Sequence, residues 1–424
     1  MQNILKTVFK NKIFIAILLM ITVFTPQSFY LQEINKLREI VTCIGIDKRE
    51  DGVEMSILHI VPKGSSASGQ SVEIATAKGE SMADVLNKIS LNLGKIISFA
   101  HCDVVLIADK ILEEGLPKYL DFLMRKNNLT TSALVVGCDD AKKTLETIKS
   151  SKILAAQSLR ELIEYNNKFI FTGESSVENF YQAYFNESGI SFIPVVSVSE
   201  SGGKNETSGQ GSGSGNEGSA NSSSGSEGSS SSGGQESSGS SGGGNQDIAN
   251  DGETIILKRG RKVLELSKPA IQLFNILSKD VNVSNLVAKD FIDGDGEVKT
   301  ISTETSSKKI DRNIYFIDGK PIVHYDIRLV LSVDEISAEI YEEKDLDRAE
   351  PPISKEAKMA LEKEFEKLFN QTVSLSKKEG LDLFRVEKYF DRILRKNWRE
   401  YVSNNPENPF QNIIYSYDLK IVTK

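Results

Sequence analysis

Hydrophobic and polar positions change period several times along this chain, and each change marks an element. Residues 40–47 and 53–61 are β-branched runs joined by the polar Lys48-Arg49-Glu50-Asp51-Gly52, whose Asp-Gly end favours a tight turn, so a hairpin is predicted. Residues 72–77 offer a third strand. From Ser81, with Asp84 three positions on, Met82, Val85, Leu86, Ile89 and Leu93 recur at helical spacing behind a capping signal. A strand follows at 103–107, then a helix marked by Ile111, Leu112, Leu116, Tyr119, Leu120 and Leu123, a strand at 131–137, and a helix capped by Asp139 and running through Ile148. Such alternation predicts a mixed sheet covered by helices. Residues 151–200 read as mostly helical, including a short helix capped by Ser175 with Glu178 and carrying Val177, Phe180, Tyr181 and Tyr184, before a strand at 191–198.

The pattern then vanishes. Residues 201–246 are almost entirely Ser, Gly, Asn, Gln and Glu, with Ala220 the only hydrophobic type, and cannot offset the cost of ordering a backbone. A free chain of this length and composition would span roughly 35 to 40 Å between its ends. Beyond it, 254–257 and 263–266 bracket Lys258-Arg259-Gly260-Arg261-Lys262, a predicted hairpin with a basic tip. Ile271, Phe274 and Leu277 predict a helix after Pro269, and long strands are expected at 297–309, 313–317 and 322–333, with Asp318-Gly319 turning between the last two. Ser354 starts a long helix bearing Ala357, Leu361, Phe365, Leu368, Phe369, Thr372 and Val373, and Gly380 fits its stop. Residues 381–403 hold a further helix with Phe384, Ile393, Leu394 and Trp398, and 413–422 alternates as a closing strand.

The expected fold is therefore α+β: an N-terminal mixed α/β sheet with helices, a disordered Ser/Gly-rich insertion, and a C-terminal antiparallel sheet with long helices on one face. The corresponding division is 1–31, 32–199, 200–249 and 250–424. The first of these segments stands apart, because Lys6, Lys10 and Lys12 run into an apolar stretch at 13–24, the build of a secretion signal. No small-x-small cleavage site follows, and 13–31 nearly reaches the roughly 20 residues a spanning helix needs, with Pro26 kinking its outer end and Tyr30 at the interface. A retained membrane anchor with an extracytoplasmic body is expected; a cleaved, secreted form is the alternative.

Composition narrows the classes. With 424 residues, 39% hydrophobic and 26% charged, the chain can bury two or three ordinary cores. Its 51 basic against 59 acidic residues give a net charge of −8, whereas nucleic-acid binding needs a concentrated basic face. Cys43, Cys102 and Cys138 are few, odd in number and set in apolar contexts, so no disulfide framework is implied.

Candidate chemistry is thin. Gly213-Ser214-Gly215-Asn216-Glu217-Gly218 spells a dinucleotide fingerprint and Gly239-Ser240-Ser241-Gly242-Gly243 a nucleophile elbow, but neither has the strand and helix that give those motifs their chemistry. Asp293, Asp295, Glu297 and Glu304 occupy calcium-loop positions one, three, five and twelve, yet Val298 stands where the loop needs Gly and strand follows where it needs helix; a solvated acidic turn fits better. His59, His101 and His324 are scattered, and no HExxH or CxxC is present. His101 and Cys102 are neighbours before a strand, where alternation separates thiol from imidazole, so a buried thiol and a partnered histidine are expected. The apolar stripe of the long helix reads as core and the basic tip as a solvated turn rather than a lipid contact. No residue is nominated as catalytic, cofactor-binding or metal-ligating. An anchored hydrolase acting on wall polymer, or a surface module with a spacer, remain as alternatives to a contact protein.

The run Glu33-Ile34-Asn35-Lys36-Leu37-Arg38-Glu39-Ile40-Val41-Thr42-Cys43-Ile44-Gly45-Ile46-Asp47-Lys48, just past the signal, resembles the start of mature Ger(x)C spore germination proteins. The likeness continues through Ser81, Ser98-Phe99-Ala100-His101-Cys102-Asp103, Gly115-Leu116, Tyr119-Leu120-Asp121-Phe122 and Phe192-Ile193-Pro194-Val195, then 254–266, 308–333 and Asn397-Trp398. Family members are usually lipoproteins with Cys-Trp-Asp before the Glu-Ile-Asn run, where this chain reads Ser28-Phe29-Tyr30. The resemblance implies a non-enzymatic C subunit of a nutrient germinant receptor in the spore inner membrane, beside membrane-embedded A and B subunits, with the first segment replacing the lipid.

Overall fold

The computed structural model describes residues 20, 38–62, 70–150, 155–166, 175–200, 246–249, 253–278, 284–294, 296–336 and 353–423. The expected anchor at 1–31 therefore lies outside the described residues apart from Met20, as do the fingerprint-like and elbow-like motifs of the Ser/Gly-rich stretch and Asp295.

Strands β1 (Arg38–Arg49), β2 (Gly52–Pro62) and β3 (Gln70–Gly79) form an antiparallel meander, and β4 (Ile96–Ser98), β5 (Val104–Ala108) and β6 (Leu134–Cys138) complete the sheet in the order β3-β2-β1-β5-β6 with β4 alongside β1. β5 runs parallel to β1 and β6 to β5, because each is reached through a helical crossover. Continuous burial along β5 and β6 reflects helices on both faces. One face packs helices Met82–Leu93, Asp109–Glu114, Pro117–Asn127 and Val177–Phe185; the other packs Ala141–Ser150 and Ala155–Asn166. Gly45 lets this second layer approach closely, since a Cβ there would lie 3.0 Å from both the Ala141 Cβ and the Leu145 Cδ1, tighter than ordinary contact.

Two caps differ from expectation. The helix after β6 is capped not by Asp139 but by Asp140, which accepts from the Lys143 N–H at 2.8 Å, while buried Asp47 reaches from β1 to accept from Ala141 and Lys142 at 2.8 and 3.0 Å. Ser176 rather than Ser175 caps Val177–Phe185 by accepting from Asn179. Ser81, Ser354 and Gly380 cap as the spacing predicts.

β7 (Ile190–Pro194) belongs to another sheet but stays beside β6, where Val195 bridges Gly137, and β8 (Ser197–Glu200) pairs antiparallel with β9 (Gln246–Ala249), so Glu200 stands opposite Gln246. The flanks of the low-complexity stretch are thus pinned together rather than 35 to 40 Å apart as a free chain would leave them. β10 (Thr254–Lys258) then pairs with both β7 and β11 (Arg261–Glu265). This small sheet has two packed faces: Ile193, Ile255 and Leu257 join the N-terminal core, and Ile190, Phe192 and Ile256 join the C-terminal one.

The last sheet, in the order β12-β13-β14-β15, comprises β12 (Asn285–Ile292), β13 (Val298–Ile317), β14 (Lys320–Ile336) and β15 (Ile414–Thr423). The two strands expected at 297–309 and 313–317 are one strand of 20 residues. The sheet is antiparallel through β14, as expected, but β15 joins parallel, because the helices between β14 and β15 make a crossover. Helix Lys355–Glu379 lies on one face, with Leu361, Phe365, Leu368 and Phe369 buried, and the helix expected at 381–403 is two, Glu387–Ile393 and Arg395–Asn404, broken at Leu394. No helix among the described residues is long and apolar enough to cross a membrane.

Candidate functional site

Alternation along β14 sends Val323, Tyr325 and Ile327 into the core and His324, Asp326 and Arg328 to the outer face. β15 does the same in parallel register, so His324 lies opposite Ser416 and Asp326 opposite Asp418. On the other side, Asn313 and Asp311 of β13 stand opposite His324 and Asp326. The imidazole is fixed at one end, its Nδ1 2.9 Å from the Ser416 hydroxyl. Its Nε2 faces two carboxylates, 3.4 Å from Asp326 Oδ1 and 3.6 Å from Asp418 Oδ2. The second oxygen of Asp326 accepts from the Asn313 amide at 2.7 Å. Asp311 is paired with Lys309 at 3.2 Å, and these groups border a shallow cavity of about 320 Å³ shared with Arg328 and Lys420. Among the described residues, His324, Asp326 and Asp418 are the set of metal-ligand types whose donor atoms converge, all within 4.8 Å of one another.

The other sequence candidates do not converge. Cys43, Cys102 and Cys138 are free and buried, and burial pushes all three thiols up, the reverse of what a nucleophile needs. Cys102 donates its thiol to the Val104 carbonyl at 3.3 Å, while His101 is exposed on the preceding turn. His59 is buried on β2 with its Nδ1 2.7 Å from Glu39, which also takes Lys95; burial pushes the Glu39 carboxyl up, but Lys95 and His59 outweigh it and hold it below its ordinary value. Asp293 sits at the β12–β13 turn, paired with Lys299 at 3.1 Å, whereas Glu304 lies along β13. The basic tip is exposed at Lys258, Arg259 and Arg261, as expected of a solvated turn, but two of its cations have partners: Arg259 donates to the carbonyls of Tyr184 and Glu187, and Lys262 reaches Asp109 at 2.6 Å.

A second polar assembly joins the two halves, and sequence periodicity gave no sign of it. Glu387, nearly buried, accepts from the backbone N–H groups of Glu187 and Ser188 at 2.6 and 2.8 Å, 200 and 199 residues away. Beside it, Asp382 accepts from Val386 and Glu387 at 2.8 and 2.9 Å, capping a helix whose own N-cap residue, Val386, offers no side-chain acceptor. Burial pushes the Asp382 carboxyl up to about 6, against those two N–H groups. The Arg312 guanidinium stacks over Tyr389 and Tyr325, 4.2 and 5.2 Å from their ring centres. Asp382 and Glu387 line a cavity of about 110 Å³ with Asn179, Gln182 and Ser188 of the other half.

Comparison with known families places this architecture. Residues 32–198 match the family described as "Spore germination protein N-terminal domain", and residues 251–422 match "Spore germination B3/ GerAC like, C-terminal". The chain belongs to the Ger(x)C family of spore germination proteins. A similar curated protein is Spore germination protein KC of Bacillus subtilis (strain 168), 29% identical over 137 residues, a match covering 30% of this chain and 33% of that protein. The chain thus spans about a third of that relative's length. Among solved structures, the crystal structure of the GerBC protein aligns with 90% of this chain and 96% of its own, at 12% identity and a TM-score of 0.45. The Ger(x)C N-terminal match begins just before β1 and ends in β8; the C-terminal match runs from just before β10 into β15.

Proposed function

We propose that this Ger(x)C protein is the C-type subunit of a nutrient germinant receptor, acting by contact with membrane-embedded A and B subunits rather than by catalysis. The observation that carries the reading is that both family profiles match, in order, on either side of the low-complexity stretch. Three thiols held protonated by burial, and histidines engaged with carboxylates or set alone on a turn, agree with a body whose surface does the work. In this reading the apolar segment at 13–31 tethers the protein to the spore inner membrane with its body outside the cytoplasm, taking the place of a lipid anchor. The pairing of β8 with β9 argues against a spacer role for the Ser/Gly-rich stretch, because a segment with adjacent ends adds no reach between its flanks.

The test is deletion of the gene followed by nutrient germination of purified spores, with co-purification of membrane partners from the parent strain. Loss of the response to at least one nutrient and recovery of A- and B-type proteins is expected. Normal germination to every nutrient with no partner recovered would overturn the proposal. Fractionation with a mobility check addresses the tether, and a shortened protein in the soluble fraction would refute it.

A further inference from the structure

The outer face of the last sheet carries a feature that neither packing nor the proposed function accounts for. Asp311, Asp326 and Asp418 form one row across β13, β14 and β15, each directly opposite the next. Like charges opposite one another on adjacent strands destabilise a sheet. Lys309 answers the first of these carboxylates and the Asn313 amide holds one oxygen of the second. The remaining oxygen of Asp326 and the carboxylate of Asp418 both face one imidazole nitrogen.

We propose that His324 Nε2, Asp326 Oδ1 and Asp418 Oδ2 form a binding site for a divalent transition-metal ion of the zinc class. Donors bound at about 2.0–2.1 Å around a tetrahedral ion stand about 3.3 Å apart. The two distances from Nε2, 3.4 and 3.6 Å, meet that requirement, and Asp418, the most exposed of the three, has the side-chain freedom to close the third edge. Two of the three ligands are already aimed by neighbours. With Nδ1–H donated to the Ser416 hydroxyl, the Nε2 lone pair points at the carboxylates, and the Asn313 amide turns Asp326 so that its free oxygen meets it. Both orienting groups come from adjacent strands in register, so the rigid sheet sets the geometry. An imidazole with two carboxylates favours zinc over calcium, which takes six to eight oxygens. Three protein ligands leave one position for water or for a group brought by another molecule.

The site is tested on the full chain in detergent, without a histidine tag, by calorimetric titration with ZnCl₂ and separately with CaCl₂. One saturable zinc site is expected, at least tenfold weaker in H324A and in D418N, and about tenfold weaker in S416A, which removes only the orienting hydroxyl. H101A, at the exposed imidazole on the turn before β5, should bind as the parent does. Trp398 fluorescence verifies that each variant is folded; D418N changes an exposed side chain and keeps the test valid if H324A misfolds. The proposal is overturned if zinc binds no more tightly to the parent than to D418N, if calcium competes equally, or if ¹⁵N spectra show both His324 ring nitrogens protonated in the presence of zinc, the signature of a plain imidazolium–carboxylate pair.

Discussion

Replacing Asp382 with Asn isolates a single buried charge whose effect can be worked out from the structure. The carboxyl is 2% exposed, and burial lifts it to about 6 even though it accepts from Val386 and Glu387 and lies near Arg312. An unfolded Asp titrates near 3.9, so the native state binds this proton more tightly than the unfolded chain does. The sign follows: the ionised form costs stability above about pH 6, and the cost is relieved as pH falls from about 6 towards 4. A shift of about two units corresponds to roughly 3 kcal/mol in full, of which about 1 kcal/mol is recovered between pH 7 and pH 5. Asn does not titrate. Urea unfolding followed by Trp398 fluorescence at both pH values should therefore show wild-type stability rising relative to D382N by about 1 kcal/mol on acidification, titrating groups remote from Asp382 cancelling in the comparison. The slope is diagnostic rather than the stability at pH 7, where losing an anionic acceptor offsets removal of a buried charge. Parallel pH dependences for the two proteins would refute the argument.

Two further substitutions probe the packing that joins and fills the halves. Glu387→Ala leaves the N–H groups of Glu187 and Ser188 without their acceptor, which should cost roughly 2 to 5 kcal/mol and bring earlier proteolytic cleavage near residue 187; unchanged cleavage would count against the contact. Trp398 is 1% exposed and stacks on Phe390 at 4.9 Å and on Tyr401 at 5.6 Å, so Trp398→Ala should cost about 3 to 5 kcal/mol and Trp398→Phe less, as circular-dichroism melts would show.

The fold was legible wherever a local period carried it. Ser81 and Ser354 declared their helices because a cap is a short-range pattern, and the alternation of 322–333 declared β14. Asp139 and Ser175 were each one position out, because neighbouring Asp and Ser residues offer equivalent caps and only the tertiary path of the chain chooses between them. Asp47 capping a helix 94 residues away has no local signature at all. The His324 cluster was only half legible for a related reason: alternation puts His324 and Asp326 on one face of β14, but the parallel register of β15 on β14 alone makes Asp418 a neighbour of His324. Predicting that register required knowing that the helices after residue 353 cross over the sheet, whereas the alternating pattern of 413–422 fits either direction of pairing.

Long-range pairing also packs the two halves against each other, through β7 and β10. A joint between domains usually resembles a weak protein contact, free to hinge. Here the β7-β10-β11 sheet belongs to both sides, with Ile193, Ile255 and Leu257 in one core and Ile190, Phe192 and Ile256 in the other, so residues of opposite facing on the same two strands, β7 and β10, fill different interiors. Rotation of one half about this sheet would pull buried side chains from one core or the other, and Glu387 and Arg259 add polar ties across the same seam. The basic tip adds to the same seam: Arg259 donates to the carbonyls of Tyr184 and Glu187, and Lys262 reaches Asp109 at 2.6 Å.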